Sequence, residues 1–173
     1  SDGNGAANGA ANGGPGIASE VPAKYVYNYM FGAGNIAQGL AASTMMLLTV
    51  AIILCFAVEV AISRDSFQGE GAAASVAYRM GAIHQASIQE GQWSRLIAAP
   101  FLHFGLLHLA MNGWAQWSLG GPLEFLMGYW RFLALWLGSA LGASLTSFVF
   151  NDKSISAGAS GAIFGLLGAF TVF

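Results

Sequence analysis

One serine stands where it could act as a nucleophile. Residues 158–161 read Gly-Ala-Ser-Gly, and an apolar run begins directly after them. A hydroxyl at the first turn of a membrane helix, flanked by residues small enough for a substrate backbone to approach, is typical of a nucleophile. We therefore predict Ser160 as a nucleophile, with Gly158 and Gly161 keeping its surroundings open.

A second polar cluster lies upstream, where His103, His108 and Asn112 interrupt an otherwise hydrophobic segment. Polar side chains are costly in lipid, so they usually have a function there. On a helix, His108 and Asn112 are four residues apart and share one face, whereas His103 should point away from His108. The spacing predicts that His108 and Asn112 could act on the same atom.

A serine nucleophile needs a base to take its proton and donors to hold the oxyanion that forms when it attacks a carbonyl. His108 and Asn112 can both donate hydrogen bonds. The backbone N–H of Ser160, at a helix N-terminus, can add a third donor. The residues leave the identity of the base open.

Other interpretations compete with a catalytic one. Ser160 and the glycines could form a tight helix–helix contact while His108 and Asn112 satisfy each other across helices. A metal site is disfavoured because no glutamate accompanies the histidines in the zinc-protease pattern. The soluble hydrolase elbow is also absent, since Gly161 follows Ser160 directly.

The composition predicts a membrane protein. Hydrophobic residues make up 55% of the chain and charged residues 8%, against roughly 25% charged in soluble domains. The net charge of −2 provides no basic patch, so nucleic acid is not an expected partner. The single cysteine, Cys55, excludes an internal disulfide and fits a small buried hydrophobe.

Four apolar segments are the candidate membrane spans: residues 42–62, 101–127, 132–150 and 161–173. The last, at ~1.5 Å per residue, reaches only ~20 Å and cannot cross a ~30 Å core. We expect the natural chain to continue past Phe173 and complete this helix. Glu59, near the end of the first span, is expected to reach the interface or pair with a neighbour.

The remaining segments are a tail and a long loop. Residues 1–24 are rich in Gly, Asn and Ala and are predicted to be disordered, leaving residues 25–173 as the transmembrane domain. Residues 64–100 carry six of the 14 charged residues, mixed with short apolar stretches. This loop is predicted to form short amphipathic helices in the membrane interface.

The chain resembles the rhomboid family of intramembrane serine proteases over about residues 80–173. The resemblance rests on the order and spacing of five signatures. They are Gly-Gln-Trp-Ser-Arg-Leu at 91–96, Phe-Leu-His at 101–103, His108 with Asn112, Gly-Gly-Pro-Leu-Glu at 120–124, and Gly-Ala-Ser-Gly at 158–161. The amino-acid sequence of residues 154–169 is more similar to eukaryotic members of the family than to bacterial ones.

The resemblance implies an all-α membrane protein, a polytopic helical bundle with six core helices of which four are present and the fourth is truncated. It implies Ser160 as the nucleophile, with His108 and Asn112 lining the oxyanion hole. The base would be a histidine on the sixth helix, beyond Phe173. The resemblance also implies a structural or polar-lining role for His103. It implies that Arg95 and Glu124 stabilise the first loop or the turn between the second and third helices.

The implied activity is that of a serine endopeptidase that cleaves transmembrane segments of membrane proteins with a Ser-His dyad, in contact with lipid and without a metal or cofactor. The protein would be a multi-pass integral membrane protein. The alternative is a catalytically inactive rhomboid-like protein that binds membrane clients or acts as a scaffold. A histidine on the sixth helix would separate the two functions.

Overall fold

The computed structural model describes residues 36–62, 70–151 and 154–172. These ranges form seven α-helices and one 3-10 turn. The helices are α1 (Ile36–Ile62), α2 (Glu70–Met80), α3 (Gln85–Gln89), α4 (Arg95–Ala98), α5 (Leu106–Met127), α6 (Tyr129–Phe150) and α7 (Ser160–Phe170), and the turn is Ala99–Phe101. The predicted disordered tail lies outside the described residues.

Two of the described helices, Thr44–Ile62 within α1 and Tyr129–Phe150, are long and apolar enough to cross a membrane. The prediction of one continuous helix over residues 101–127 was wrong at its start. Arg95–Phe101 and Leu106–Met127 are bent by 88° relative to each other. The break falls at Gly105, whose φ of +95° suits a residue without a Cβ.

The other helix boundaries differ from the predicted spans by a few residues. Helix α1, the first predicted span, begins at Ile36 rather than near residue 42. Helix α6, the third predicted span, begins at Tyr129 rather than near residue 132. Gly128 separates α5 from α6 with a φ of +80°, so a single residue turns the chain back on itself. The last helix begins at Ser160.

The described part of the predicted interfacial loop, residues 70–100, is organised around Arg95. Its guanidinium donates to the backbone carbonyls of Tyr78 and Ala82, each at 2.8 Å, and to Gln92 Oε1 at 2.7 Å. The same group lies 4.7 Å above the Tyr78 ring. Because the charge of a nearly buried arginine must be compensated, these contacts hold α2 and α4 together.

Three polar contacts join α1 to α5, to α6 and to the turn before α5. Glu124 Oε2 accepts from the N–H of Met45 at 2.9 Å. In the middle, Gln116 donates to Thr49 Oγ1 and accepts from Trp136 Nε1, at 2.9 and 3.0 Å. The third contact, made by Glu59, lies at the opposite end of α1. Polar contacts of this kind stabilise helix pairs in lipid, where hydrophobic burial does not drive association.

Small side chains allow α6 and α7 to pack closely. A Cβ added to Gly161 would overlap the side chain of Ala143, and one added to Gly165 would overlap the side chain of Ser139. Glycines four residues apart form one flat strip on α7, and the short side chains of α6 lie against it. This contact fixes the position of the first turn of α7 relative to α6.

We expect Gly165→Leu to destabilise the protein by about 1–3 kcal/mol or more, because the added side chain must displace Ser139. The measurement is the thermal unfolding midpoint of the purified protein in detergent. Gly168→Leu, one turn further along α7, is the matched control, since a Cβ at Gly168 meets no atom within 4 Å. Equal midpoints for the two variants would contradict the described packing.

Candidate active site

Ser160 is the first residue of α7 and is exposed. The first N–H groups of a helix have no partner within the helix, so the backbone at Ser160 presents donors next to the hydroxyl. A cavity of about 320 Å³ lies beside this residue. Its walls include Gly158 and Pro100, together with the small and polar face of α6: Ala140, Ala143, Ser144 and Ser147.

The segment that leads into Ser160 is held by the interfacial loop through backbone hydrogen bonds. Ile83 and Ser156 form an antiparallel bridge, with N–H to O distances of 2.8 and 3.1 Å. Two residues later, the N–H of Gly158 donates to Ala99 O at 2.9 Å. Because these bonds join backbone groups, they hold the chain immediately before the serine directly.

The side chains of His108 and Asn112 both lie close to Gly158. A Cβ added to this glycine would lie 2.7 Å from His108 Cε1, 2.9 Å from His108 Nε2 and 3.5 Å from Asn112 Nδ2. Its φ of +122° is also a conformation that side chains disfavour. Glycine is therefore required at position 158 for two independent reasons, and the two α5 side chains lie against the backbone two residues before Ser160.

The hydrogen bond that His108 accepts determines which of its ring nitrogens carries the proton. The N–H of Phe104 donates to His108 Nδ1 at 3.2 Å. A ring nitrogen that accepts a hydrogen bond carries no proton, so in the neutral imidazole the proton is on Nε2. His108 thus presents a donor on the side that faces Gly158.

Asn112 presents a second donor. Its Nδ2 is buried and has no hydrogen-bond partner among the described residues. Leaving a buried amide N–H unpaired costs about 1–3 kcal/mol, so such a group is expected to receive a partner at some stage of its function. The unpaired donor lies close to Gly158.

His103 does not point away from His108, as the continuous-helix prediction required. It lies in the turn before α5, fully buried, and its ring centroid is 5.1 Å from that of His108. The reason is that α5 begins at Leu106, so the helical spacing does not extend back to His103. Its backbone N–H donates to Glu59 Oε1 at 3.0 Å.

Three of the predicted supporting residues lie away from the contact at Gly158. Arg95 is in the interfacial loop, with the partners described above. Glu124 is in the last turn of α5 and contacts α1 there. Gly161 packs against Ala143 of α6. Among the described residues, no three His, Cys, Asp or Glu side chains come together in a way that could hold a metal ion.

Sequence reasoning missed Glu59 as a neighbour of this site. Glu59 is fully buried, although an interfacial position or an unspecified pairing was expected for it. The available signal was an acidic residue inside an apolar helix, which indicates a buried partner. That partner is a backbone N–H 44 residues away along the chain, and hydropathy does not reveal it.

Known proteins similar to this chain share its second half. A Rhomboid domain model matches residues 90–173. The chain is 47% identical over 89 residues to the Rhomboid protease GluP of Bacillus subtilis, an alignment that covers 51% of this chain and 17% of that protein. It is 42% identical over 93 residues to RHOMBOID-like protein 5 of Arabidopsis thaliana, covering 53% of this chain and 30% of that one.

A third relative is Rhomboid-like protease 5 of Toxoplasma gondii, 36% identical over 95 residues, covering 54% of this chain and 11% of that protein. The chain spans less than a third of the length of each of these three relatives. No solved structure matches it significantly. Because the relatives include bacterial and plant proteins, the greater similarity to eukaryotic members stays a prediction.

The matched region contains the serine, the α5 side chains and the glycine on which they converge. The described residues are helical apart from turns and one isolated bridge, and include helices apolar enough to span a membrane. An all-α membrane fold and the matches to named rhomboid proteins agree with the resemblance noted from the sequence motifs. The match of residues 90–173 to the Rhomboid domain and the similarity to named rhomboid proteins support membership of the rhomboid family.

Proposed function

We propose that the protein is a serine endopeptidase that cleaves transmembrane segments of other membrane proteins within the bilayer. The observation that carries the proposal is the contact at Gly158. There, a buried and unpaired amide of Asn112 and a donor nitrogen of His108 lie against the backbone two residues before Ser160. Relatives named as rhomboid proteases support the same type of activity.

In the proposed reaction, Ser160 Oγ attacks the carbonyl carbon of the scissile peptide, and the carbonyl oxygen becomes an oxyanion. Asn112 Nδ2–H, His108 Nε2–H and the backbone N–H of Ser160 donate to that oxygen. Donors fixed before the reaction stabilise the developing charge without reorganising, and each is typically worth about 2.7–4 kcal/mol. Asn112 Nδ2 thereby gains the partner that it lacks among the described residues.

The base is proposed to be a histidine in sequence outside residues 1–173. His108 cannot serve while its Nδ1 accepts from Phe104 and its Nε2 carries the proton. His103 is fully buried, and His84 contacts Ser87 in the interfacial loop. The external histidine would take the proton of Ser160 during attack and return it to the leaving amine.

The proposed substrates are transmembrane segments of membrane proteins, and the protein would cross the membrane several times in contact with lipid. The cavity beside Ser160 is lined by small residues and by short polar side chains of α6, which leaves space for an extended backbone. A helix must unwind locally to expose a peptide bond to a nucleophile. Substrate segments with low helix propensity near the cleaved bond are therefore favoured.

Ser160→Ala in the full-length protein is expected to abolish cleavage and to leave the unfolding midpoint nearly unchanged, because it removes one exposed hydroxyl. Labelling by a fluorophosphonate probe is the measurement. Ser154→Ala, an exposed serine in the preceding loop, is the control and should label like the wild type. Equal labelling of wild type and Ser160→Ala would show that another residue is the nucleophile.

Asn112→Ala and His108→Ala are each expected to lower kcat by up to about 10²–10³-fold, the loss typical of one oxyanion donor. KM should change little, because the donors act on the transition state. Steady-state kinetics on a reconstituted transmembrane substrate provide the measurement. The control is Ser118→Ala on the same helix, whose hydroxyl bonds only to its own helix backbone at Trp114. Wild-type kcat in both site variants would show that neither side chain binds the oxyanion and would favour a purely structural pairing of His108 and Asn112.

Residues 1–173 alone are expected not to cleave a transmembrane substrate, since losing one member of a serine–histidine pair can cost about 10⁶ in rate. The measurement compares residues 1–173 with a chain that also carries the proposed histidine, both reconstituted in liposomes. Turnover by residues 1–173 that Ser160→Ala abolishes would place the base inside the present chain.

A further inference from the structure

We infer that Glu59 on α1 is a positioning residue that fixes the ring of His108 for oxyanion binding, an inference that rests on the proposed function. Glu59 is fully buried, and its Oε1 accepts from the N–H of His103 at 3.0 Å. Its second oxygen, Oε2, has no hydrogen-bond partner among the described residues. Glu59 therefore contacts the turn before α5 through Oε1.

The turn that Glu59 contacts, from Leu102 to Gly105, lies between the 3-10 turn and α5. Leu102 is extended, with φ −95° and ψ 149°, and Gly105 has a φ of +95°. The N–H groups between them must find other acceptors, because an unpaired N–H in apolar surroundings costs several kcal/mol. Glu59 provides the acceptor for His103.

The next N–H along the chain belongs to Phe104 and donates to His108 Nδ1 at 3.2 Å. Two consecutive backbone N–H groups are therefore held, one by α1 and one by α5. Fixing the His103 N–H fixes the peptide plane between Leu102 and His103, and only φ and ψ of His103 separate this plane from the one that carries the Phe104 N–H. Glu59 acts on His108 through the backbone of His103.

The consequence for His108 is chemical as well as geometric. The Phe104 N–H keeps Nδ1 unprotonated and leaves Nε2 as the donor beside Gly158. The Phe104 ring also stacks on the His108 ring, with centroids 5.9 Å apart and planes inclined by 27°. If the turn shifts, His108 loses the bond that selects its tautomer and the ring that restrains its rotation.

A purely structural role for Glu59 predicts a different outcome. In that case its removal would destabilise the protein, but each folded molecule would retain its full kcat. The positioning role predicts a lower kcat per folded molecule, with KM little changed. Thr49→Val is the matched control, because Thr49 on the same helix also contacts α5, through Gln116, at a distance from the turn.

Three substitutions of Glu59 test the hydrogen bond that Oε1 accepts from the His103 N–H. Glu59→Gln keeps an oxygen acceptor for the His103 N–H and should behave like the wild type. Glu59→Leu removes the acceptor. Glu59→Asp keeps the charge but withdraws the carboxylate by one methylene, and it replaces Glu59→Leu in every comparison if the leucine variant does not fold.

The first measurement is the ¹⁵N spectrum of the imidazole nitrogens in histidine-labelled protein in bicelles, which is simple because the chain has three histidines. Wild type and Glu59→Gln should show His108 with an unprotonated Nδ1 and a protonated Nε2. Glu59→Leu should change this pattern, and Thr49→Val should not. An unchanged His108 spectrum in folded Glu59→Leu would overturn the inference, whether or not the protein is a protease.

The second measurement is a double-mutant cycle on kcat in the full-length enzyme. Glu59→Leu should lower kcat by up to about 10²-fold, no more than the loss of one oxyanion donor. Combined with His108→Ala, it should cause no further loss, because both changes remove the same donor. Fully additive losses would overturn the inference. Absence of cleavage in the wild type would instead overturn the proposed function and leave the spectroscopic test standing.

Discussion

The close approach of α5 to the backbone at Gly158 is the constraint on which the site depends. A Cβ there would collide with His108, and the φ of +122° would strain any side chain. The approach places two donor side chains beside the chain that leads into Ser160. Other features of the fold keep this contact in place: the bridge between Ile83 and Ser156 on one side, and the glycine strip of α7 on the other.

The buried polar groups divide into two kinds with different consequences. Gln116 and Arg95 make several hydrogen bonds each and connect segments that are distant in sequence. Asn112 Nδ2 is buried without a partner among the described residues, next to the proposed nucleophile. Buried polar groups with hydrogen-bond partners rigidify a membrane protein. A buried donor without a partner lowers stability, and a ligand that accepts its hydrogen bond offsets that cost. Under the proposed function, the satisfied contacts form a rigid frame around a site that receives the oxyanion.

The sequence was sufficient to predict the helical membrane fold and the family, because composition and motif spacing are local signals. Gly-Ala-Ser-Gly at residues 158–161 and the four-residue spacing of His108 and Asn112 also identified the residues that the structure brings near one another. The break before α5 was missed, because Gly105 was treated as part of an apolar run rather than as a helix start. The partner of Glu59 and the Ile83–Ser156 bridge were not predictable, since each contact joins groups far apart in sequence.

The central claim is that His108 and Asn112 form an oxyanion hole for the reaction of Ser160. The most direct measurement is a structure of the full-length protein after reaction with a fluorophosphonate, whose phosphoryl oxygen takes the place of the oxyanion. The account predicts that this oxygen lies about 2.7–3.1 Å from Asn112 Nδ2 and His108 Nε2. A phosphoryl oxygen directed away from both side chains, with Asn112 Nδ2 still unpaired, would contradict it.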